Sequence, residues 1–215
     1  MTAKKRQTRD PVRTGKLILG AAREEFAKAG FEGARVDKIA ERFGLSKGLI
    51  YHYYGSKDEL FIAVLEDIYQ ELRQENERLI LDDFEPIAGV KELISHTFNY
   101  FAEHPEFIVL VHSENIMGAT HLQKSTEINN LFEPLSKKLE ELLLRGAKQG
   151  VFRKNVDTKQ LYISIVALGY FFLSNRHSLG VVFNMDLFAD DSLSVRLRHA
   201  EDVILGFLCN RDANV

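Results

Sequence analysis

The sequence predicts an all-α protein, and three observations carry that expectation. Apolar residues recur at spacings of three and four over most of the chain, with no sustained alternation of the kind a half-buried strand needs. Between those stretches stand the marks of helix ends, Gly after a last apolar residue and Ser, Thr or Asp before the next. Only four prolines interrupt 215 residues. With 45% hydrophobic residues the chain can bury a sizeable core, as one domain with a small appendage or as two small domains.

Residues 1–13, MTAKKRQTRDPVR, hold five Lys/Arg and no apolar period, so they are expected to form a flexible basic arm, either solvated or lying along phosphates. A first helix follows from Thr14 to Ala29, with Leu17, Ile18, Ala21, Ala22 and Phe26 on one stripe and Gly30 as its stop. Val36, Ile39, Ala40 and Phe43 mark a second helix. Gly44 supplies a left-handed stop, and Ser46 is placed to cap a third helix that turns Ile50 inward beside Leu45. Helix, tight turn and helix within residues 14–60 read as a three-helix domain of the helix-turn-helix kind. Ser56 with Glu59 reads as a capping box opening a connecting helix over 56–79, with Leu60, Phe61, Val64, Leu65, Ile68 and Leu72 inside.

The body is expected to span 61–215, with a break at Asp82–Pro86. Ile87, Val90, Leu93, Ile94, Thr97, Phe98 and Phe101 then make a helix to 103, and Pro105 suits the first turn of another reaching about Ile116. After a turn over 117–124 comes a helix to Lys148, either kinked at Pro134 or beginning later. Asp157 with Gln160 reads as a second capping box, opening a helix to about Arg176. A loop over 178–190 and a final helix from Ser192 or Ser194 complete the reading. The 157–176 helix is apolar nearly all round, which means burial on more than one side. Together with the final helix it needs a partner surface, so a homodimer is expected, with Phe172 and Ile204 on the face that meets the second copy.

Charge is unevenly divided. Residues 1–57 carry 13 Lys/Arg against 6 Asp/Glu, whereas the remainder carry 15 against 25. A basic head on an acidic body suggests that only the head meets a polyanion. The single cysteine, Cys209, cannot form an internal disulfide and suits a reducing compartment. The sequence has neither a signal-peptide core nor a run long enough to cross a bilayer, so a cytoplasmic location without membrane contact is expected.

The third helix and its flanks hold what a groove-reading surface needs: hydroxyls and cations for phosphates, a long donor for base edges, and a small residue where backbone must approach closely. The candidates are Ser46, Lys47, Gly48, Tyr51, His52 and Tyr53, with Arg35 before the second helix and Lys57 at the start of the connecting helix. Against this stands the plainer possibility that such tyrosines are partial core.

Gly30-Phe31, Ile39-Ala40, Gly44-Leu45-Ser46-Lys47-Gly48, Tyr51 and Ser56-Lys57-Asp58-Glu59-Leu60 resemble the N-terminal DNA-binding domain of TetR-family transcriptional regulators, over residues 14–65. The resemblance implies a helical ligand-binding and dimerisation domain behind the head, and pairing of the last two long helices as a four-helix bundle about a two-fold axis. Four positions depart from the usual pattern. Leu49 stands for Thr, Tyr54 for Phe, Gly55 for Pro, and Arg35 for Ser or Thr.

No phosphate loop, GxSxG elbow, HExxH or CxxC occurs, so neither an enzyme nor a cofactor or metal is expected. His96, His112 and His121 can converge in space, but hydrogen-bonded histidines are the commoner outcome. Polar groups embedded in the apolar body, His112, Glu114, Asn115 and Asn175, with Phe98, Phe101 and Phe171, are candidates to line a small-molecule cavity. The alternative is that Glu114 pairs with Arg176 and that Asn175 satisfies a helix end. HPEF at 104, SEN and Gly over 113–118, GVFR at 150–153 and SNRHSL at 174–179 are similar to the TetR subgroup that regulates pyrimidine and nicotinate catabolism. That likeness implies a planar nitrogen heterocycle as effector. The expected function is a homodimeric, effector-released repressor of a palindromic DNA operator. A rival reading is a helical ligand carrier or enzyme whose basic head binds RNA or an acidic protein, which leaves the block from Ser46 to Lys57 unexplained.

Overall fold

The computed structural model describes residues 11–128 and 131–209, and among these every regular element is helical. In order they are α1 (Pro11–Gly33), α2 (Val36–Arg42), α3 (Lys47–Tyr54), α4 (Lys57–Arg78), α5 (Pro86–Glu103), α6 (Pro105–Ile116), a 3₁₀ turn (Leu122–Lys124), α7 (Glu133–Lys148), α8 (Thr158–Phe183) and α9 (Asp190–Leu208). Among the described residues no helix is long and apolar enough to cross a membrane. The basic arm expected at the N-terminus lies, through residue 10, outside the described residues; residues 11–13 belong to α1, which opens on Pro11 rather than Thr14.

The chain divides into two compact units, residues 1–69 with 109–129 and residues 70–108 with 130–215. The first holds α1 to α3, the start of α4, the end of α6 and the 3₁₀ turn. Ile18, Phe26, Ile39, Ile50, Leu60, Phe61 and Leu65 are its fully buried centre. Gly30 breaks α1 with φ 68° and ψ 175°, a conformation open chiefly to glycine, and brings Phe31 back over Phe26 and Phe61 at ring separations of 6.1 and 5.0 Å.

The second unit packs α5, α7, α8 and α9 around Val90, Leu93, Leu135, Leu139, Leu142, Ile165, Ile204 and Leu208. Lys138 on α7 donates to the carbonyls of Asn76, Glu77 and Leu79 at 2.7 to 3.1 Å, so a cation satisfies the orphan acceptors where α4 ends. Arg145 does the same for Leu81 and Asp82, both at 2.7 Å.

Two boundaries differ from the sequence expectation, and a third follows one of the two alternatives left open at Pro134. Pro134 stands in the first turn of α7, which therefore begins late instead of kinking. Helix α8 continues past Arg176 to Phe183 and stops on Asn184, held in the left-handed region at φ 52°, so the first part of the loop placed at 178–190 is helix. Helix α9 opens at Asp190, before either serine proposed as its cap.

Candidate functional site

The α2–α3 corner forms for reasons visible in its residues. Helix α2 ends in a Schellman turn: the Leu45 amide donates to the Ala40 carbonyl at 2.9 Å and Gly44, at φ 58°, donates to Glu41 at 3.2 Å. Ser46 then caps α3, its Oγ accepting from the Leu49 amide at 3.2 Å. With Ile50 the buried residue of α3, the rest of that short helix is left toward the surface.

Lys47 leads that surface. Its side chain is about half exposed; Nζ lies 3.1 Å from Asp37 Oδ1 and 5.7 Å from the centre of the Tyr51 ring. Arg35 Nη2 reaches the other Asp37 oxygen at 3.3 Å. The hydrogen bond from Lys47, more than that from Arg35, holds the Asp37 carboxyl below its ordinary range. Asp37 had no place in the sequence reading, because its meeting with a lysine ten positions on is a product of the turn. Gly48 and His52 are exposed, and nothing lies within 4 Å of where a Gly48 side chain would begin. Tyr51 is half-buried. Tyr53 leans with Tyr54 over Gly15 on α1, where Tyr54 donates to the Gly15 carbonyl at 2.9 Å. Lys57 turns back toward α1, donating to the Glu32 carbonyl at 3.3 Å with its ammonium 4.8 Å from the Phe31 ring centre. One face thus gathers Arg35, Lys47, Tyr51 and His52 beside close-approach backbone at Gly48.

The residues expected to line an effector cavity fall in different units. His112, Glu114 and Asn115 belong to the first; Phe98, Phe101, Phe171 and Asn175 to the second. Phe98 and Phe101 are buried, and Phe101 packs edge-on to Tyr170 at 5.7 Å. Asn115 donates to the Val111 carbonyl and Asn175 to that of Phe171, both within their own helices. Glu114 pairs with His121, not with Arg176. Among the described residues no group of three His, Cys, Asp or Glu is placed to hold a metal ion, and His121 is engaged by carboxylates instead of by other histidines.

On the outer side of α8 and α9 the apolar character is exposed. Ile163 and Phe171 on α8 and Val195, Val203 and Phe207 on α9 stand in solvent, flanking two open grooves of about 430 and 690 Å³ that share Phe171 and Arg196. Arg196 spans the pair, donating from Nε and Nη2 to the Leu168 carbonyl at 3.0 and 2.8 Å. Phe172 and Ile204, expected on this face, are core residues at 8% and 2% exposure; the helical phase puts Phe171, at 57%, outside in their place.

Two family descriptions match the chain, "Bacterial regulatory proteins, tetR family" over residues 18–64 and "Tetracyclin repressor-like, C-terminal domain" over 86–204. It is 35% identical to the HTH-type transcriptional repressor NicS of Pseudomonas putida, over 81% of this chain and 82% of that one. It is 36% identical to the HTH-type transcriptional regulator RutR of Escherichia coli, over 48% and 49% respectively. A crystal structure of a transcriptional regulator from Saccharomonospora viridis in complex with choline superposes with a TM-score of 0.70 at 17% identity, covering 93% of this chain and all of that one.

Proposed function

Because the chain belongs to the TetR family of bacterial regulatory proteins, we propose that it is a homodimeric repressor that reads a near-palindromic DNA operator and leaves it when a small molecule binds the body. One observation carries the reading: a Schellman turn and a serine cap project Lys47, Gly48 and His52 from a short helix whose other side is anchored by Ile50. A short, N-terminally capped helix with cations and backbone exposed at its start suits the major groove, where a lysine can donate to guanine and neighbouring groups can hold phosphate. Arg35, Ser46, Lys47, Gly48, Tyr51, His52, Tyr53 and Lys57 are the residues assigned to that contact.

The exposed apolar face of α8 and α9 supports pairing with a second copy, since an unpaired apolar patch of this kind is costly in water. The effector class, a planar nitrogen heterocycle, rests on the body motifs from 104 to 179 and on nothing in the geometry. The site of action follows from the operator: the cytoplasm, where bacterial DNA lies.

Selection from random duplexes tests the reading. Enrichment of an inverted repeat with half-sites about one helical turn apart, roughly 35 Å, is expected; recovery of no repeat, or preference for RNA over any duplex, overturns it.

A further inference from the structure

The first unit contains a buried polar joint that the DNA-facing residues do not account for. Glu114, at the end of α6, has no exposed surface, and its carboxylate accepts from the His121 amide at 2.7 Å and the Leu122 amide at 2.9 Å. His121 Nδ1 lies 2.8 Å from the other carboxyl oxygen, within hydrogen-bond distance. The His121 ring, 3% exposed as a residue, sits 4.6 Å from the Phe31 ring and 5.0 Å from Phe61. Its far nitrogen, Nε2, is 3.4 Å from Asp58 Oδ1 in the first turn of α4.

Two further bonds tie the same segment down. Ser113 Oγ accepts from the Phe31 amide at 3.4 Å, and Ser125 Oγ donates to Glu66 Oε1 at 2.6 Å. The ties that leave this segment, from Ser113, His121 and Ser125, end at the close of α1 or on the first part of α4. Phe31 and Asp58 bracket Lys57, whose ammonium rests over the Phe31 ring and on the Glu32 carbonyl next to it.

Apolar packing alone would hold these elements together at least as firmly, since burying a carboxylate sets a desolvation cost against its hydrogen bonds. What the polar joint adds is direction: each bond fixes an angle as well as a distance. On the reading of the chain as an operator-binding regulator, we infer that Glu114 and His121 are positioning residues for DNA binding. Glu114 fixes His121, and His121 holds Phe31 and Asp58 on either side of Lys57, so the pair sets where that lysine stands for contact with the phosphate backbone without touching DNA itself.

The test is a double-variant cycle in the full chain with the duplex recovered by selection. His121→Phe keeps a ring between Phe31 and Phe61 but loses both nitrogen contacts, while Glu114→Gln is the milder change. Each is expected to weaken binding about tenfold and to lower the salt slope by about 1.8, the share of two phosphate contacts, one from each protomer. Lys57→Ala should do the same, and adding His121→Phe to Lys57→Ala should weaken it no further, because the aimed group is already gone. In the unsubstituted protein the His121 ring resonances should shift on addition of the selected duplex and not of a scrambled one. Additive losses in the cycle, a loss that merely tracks a fall in melting temperature, or ring signals indifferent to the duplex overturn the inference. Failure of the unsubstituted chain to select any duplex overturns the operator reading itself, and is told apart by preceding every variant.

Discussion

Lys47 shows how a contact residue is held before it has a ligand. In the free protein its charge is shared with Asp37, and binding a phosphate or a base edge means exchanging or bridging that partner. Lys47→Ala should weaken operator binding by about 1–3 kcal/mol and relax the preference at one position. Asp37→Asn should act the other way, tightening binding to every duplex and most at low salt, where repulsion from phosphates is least screened. Titrations by fluorescence anisotropy at two salt concentrations check both. Asp37 could not be found in the sequence, because nothing in the spacing of residues 37 and 47 says that the turn will fold one over the other. A second residue-scale expectation concerns His96. Its Nε2 is buried without a hydrogen-bond partner, and burial, outweighing nearby Glu75 and Glu92, lowers its pKa below the ordinary 6.5. With the folded value depressed, the unfolded chain binds more protons as pH falls below about 6.5, so stability is lost on acidification and is restored above it. Urea melts at pH 7.5 and 5.5 should show a smaller acid loss for His96→Gln than for the unsubstituted chain.

At the scale of elements, most helices were legible, because caps and stops are local chemistry. Ser46 and Asp157 cap as their positions suggest, the latter accepting from the Gln160 amide at 3.0 Å. The Ser56 box is only half made. Ser56 accepts from the Glu59 amide at 3.1 Å, but its own amide donates to the Tyr54 carbonyl at 2.8 Å, closing a γ-turn centred on Gly55 at φ 71° and ψ −67°. Proline, usual at this place in the resembled pattern, cannot adopt that φ, so the exchange to glycine changes how α3 hands over to α4. The full length of α8 is not legible because polar residues at 174–178 resemble an ending, whereas the stop is Asn184. The phase of its outer face is not legible either, since a helix apolar all round gives no stripe to read. Phe171→Glu or Val203→Glu should therefore leave helix content intact while shifting sedimentation from dimer to monomer and abolishing operator binding. Phe172→Glu and Ile204→Glu, which place a charge in the core, should lower the melting temperature instead. Equal effects on melting from the two pairs would count against an α8–α9 interface.

For the molecule as a whole, release from DNA requires a ligand that prefers the state unable to bind the operator. Moving occupancy from 99:1 to 1:99 takes a preference of about 5.5 kcal/mol, and linkage makes the effect reciprocal, so operator DNA must weaken the ligand by the same factor. Calorimetric titration of an effector found by thermal-shift screening of nitrogen heterocycles, with and without the selected duplex, should return that difference. Equal affinities in the two titrations would exclude a ligand-operated switch. A ligand cavity is less legible in a sequence than a groove-reading face for a physical reason. A groove-reading helix is one short segment with its chemistry in consecutive residues, whereas a cavity draws single side chains from several helices, and Glu114 looked like a lining residue until its partners were seen to be His121 and Leu122.

The first unit is not a contiguous stretch of chain: His121, ninety positions after Phe31, closes the ring cluster that Phe31 and Phe61 begin. During synthesis, the first seventy residues emerge with that cluster open on one side, and it stays open until α5 and α6 have also left the ribosome. Pairing across such a separation carries a large loop-closure entropy and slows folding relative to a self-contained three-helix module. Exchange of parts between proteins meets the same limit. A head cut at the end of its third helix and joined to a foreign body would arrive without its own residues 113–125, and would be completed only by a body that supplies their equivalents.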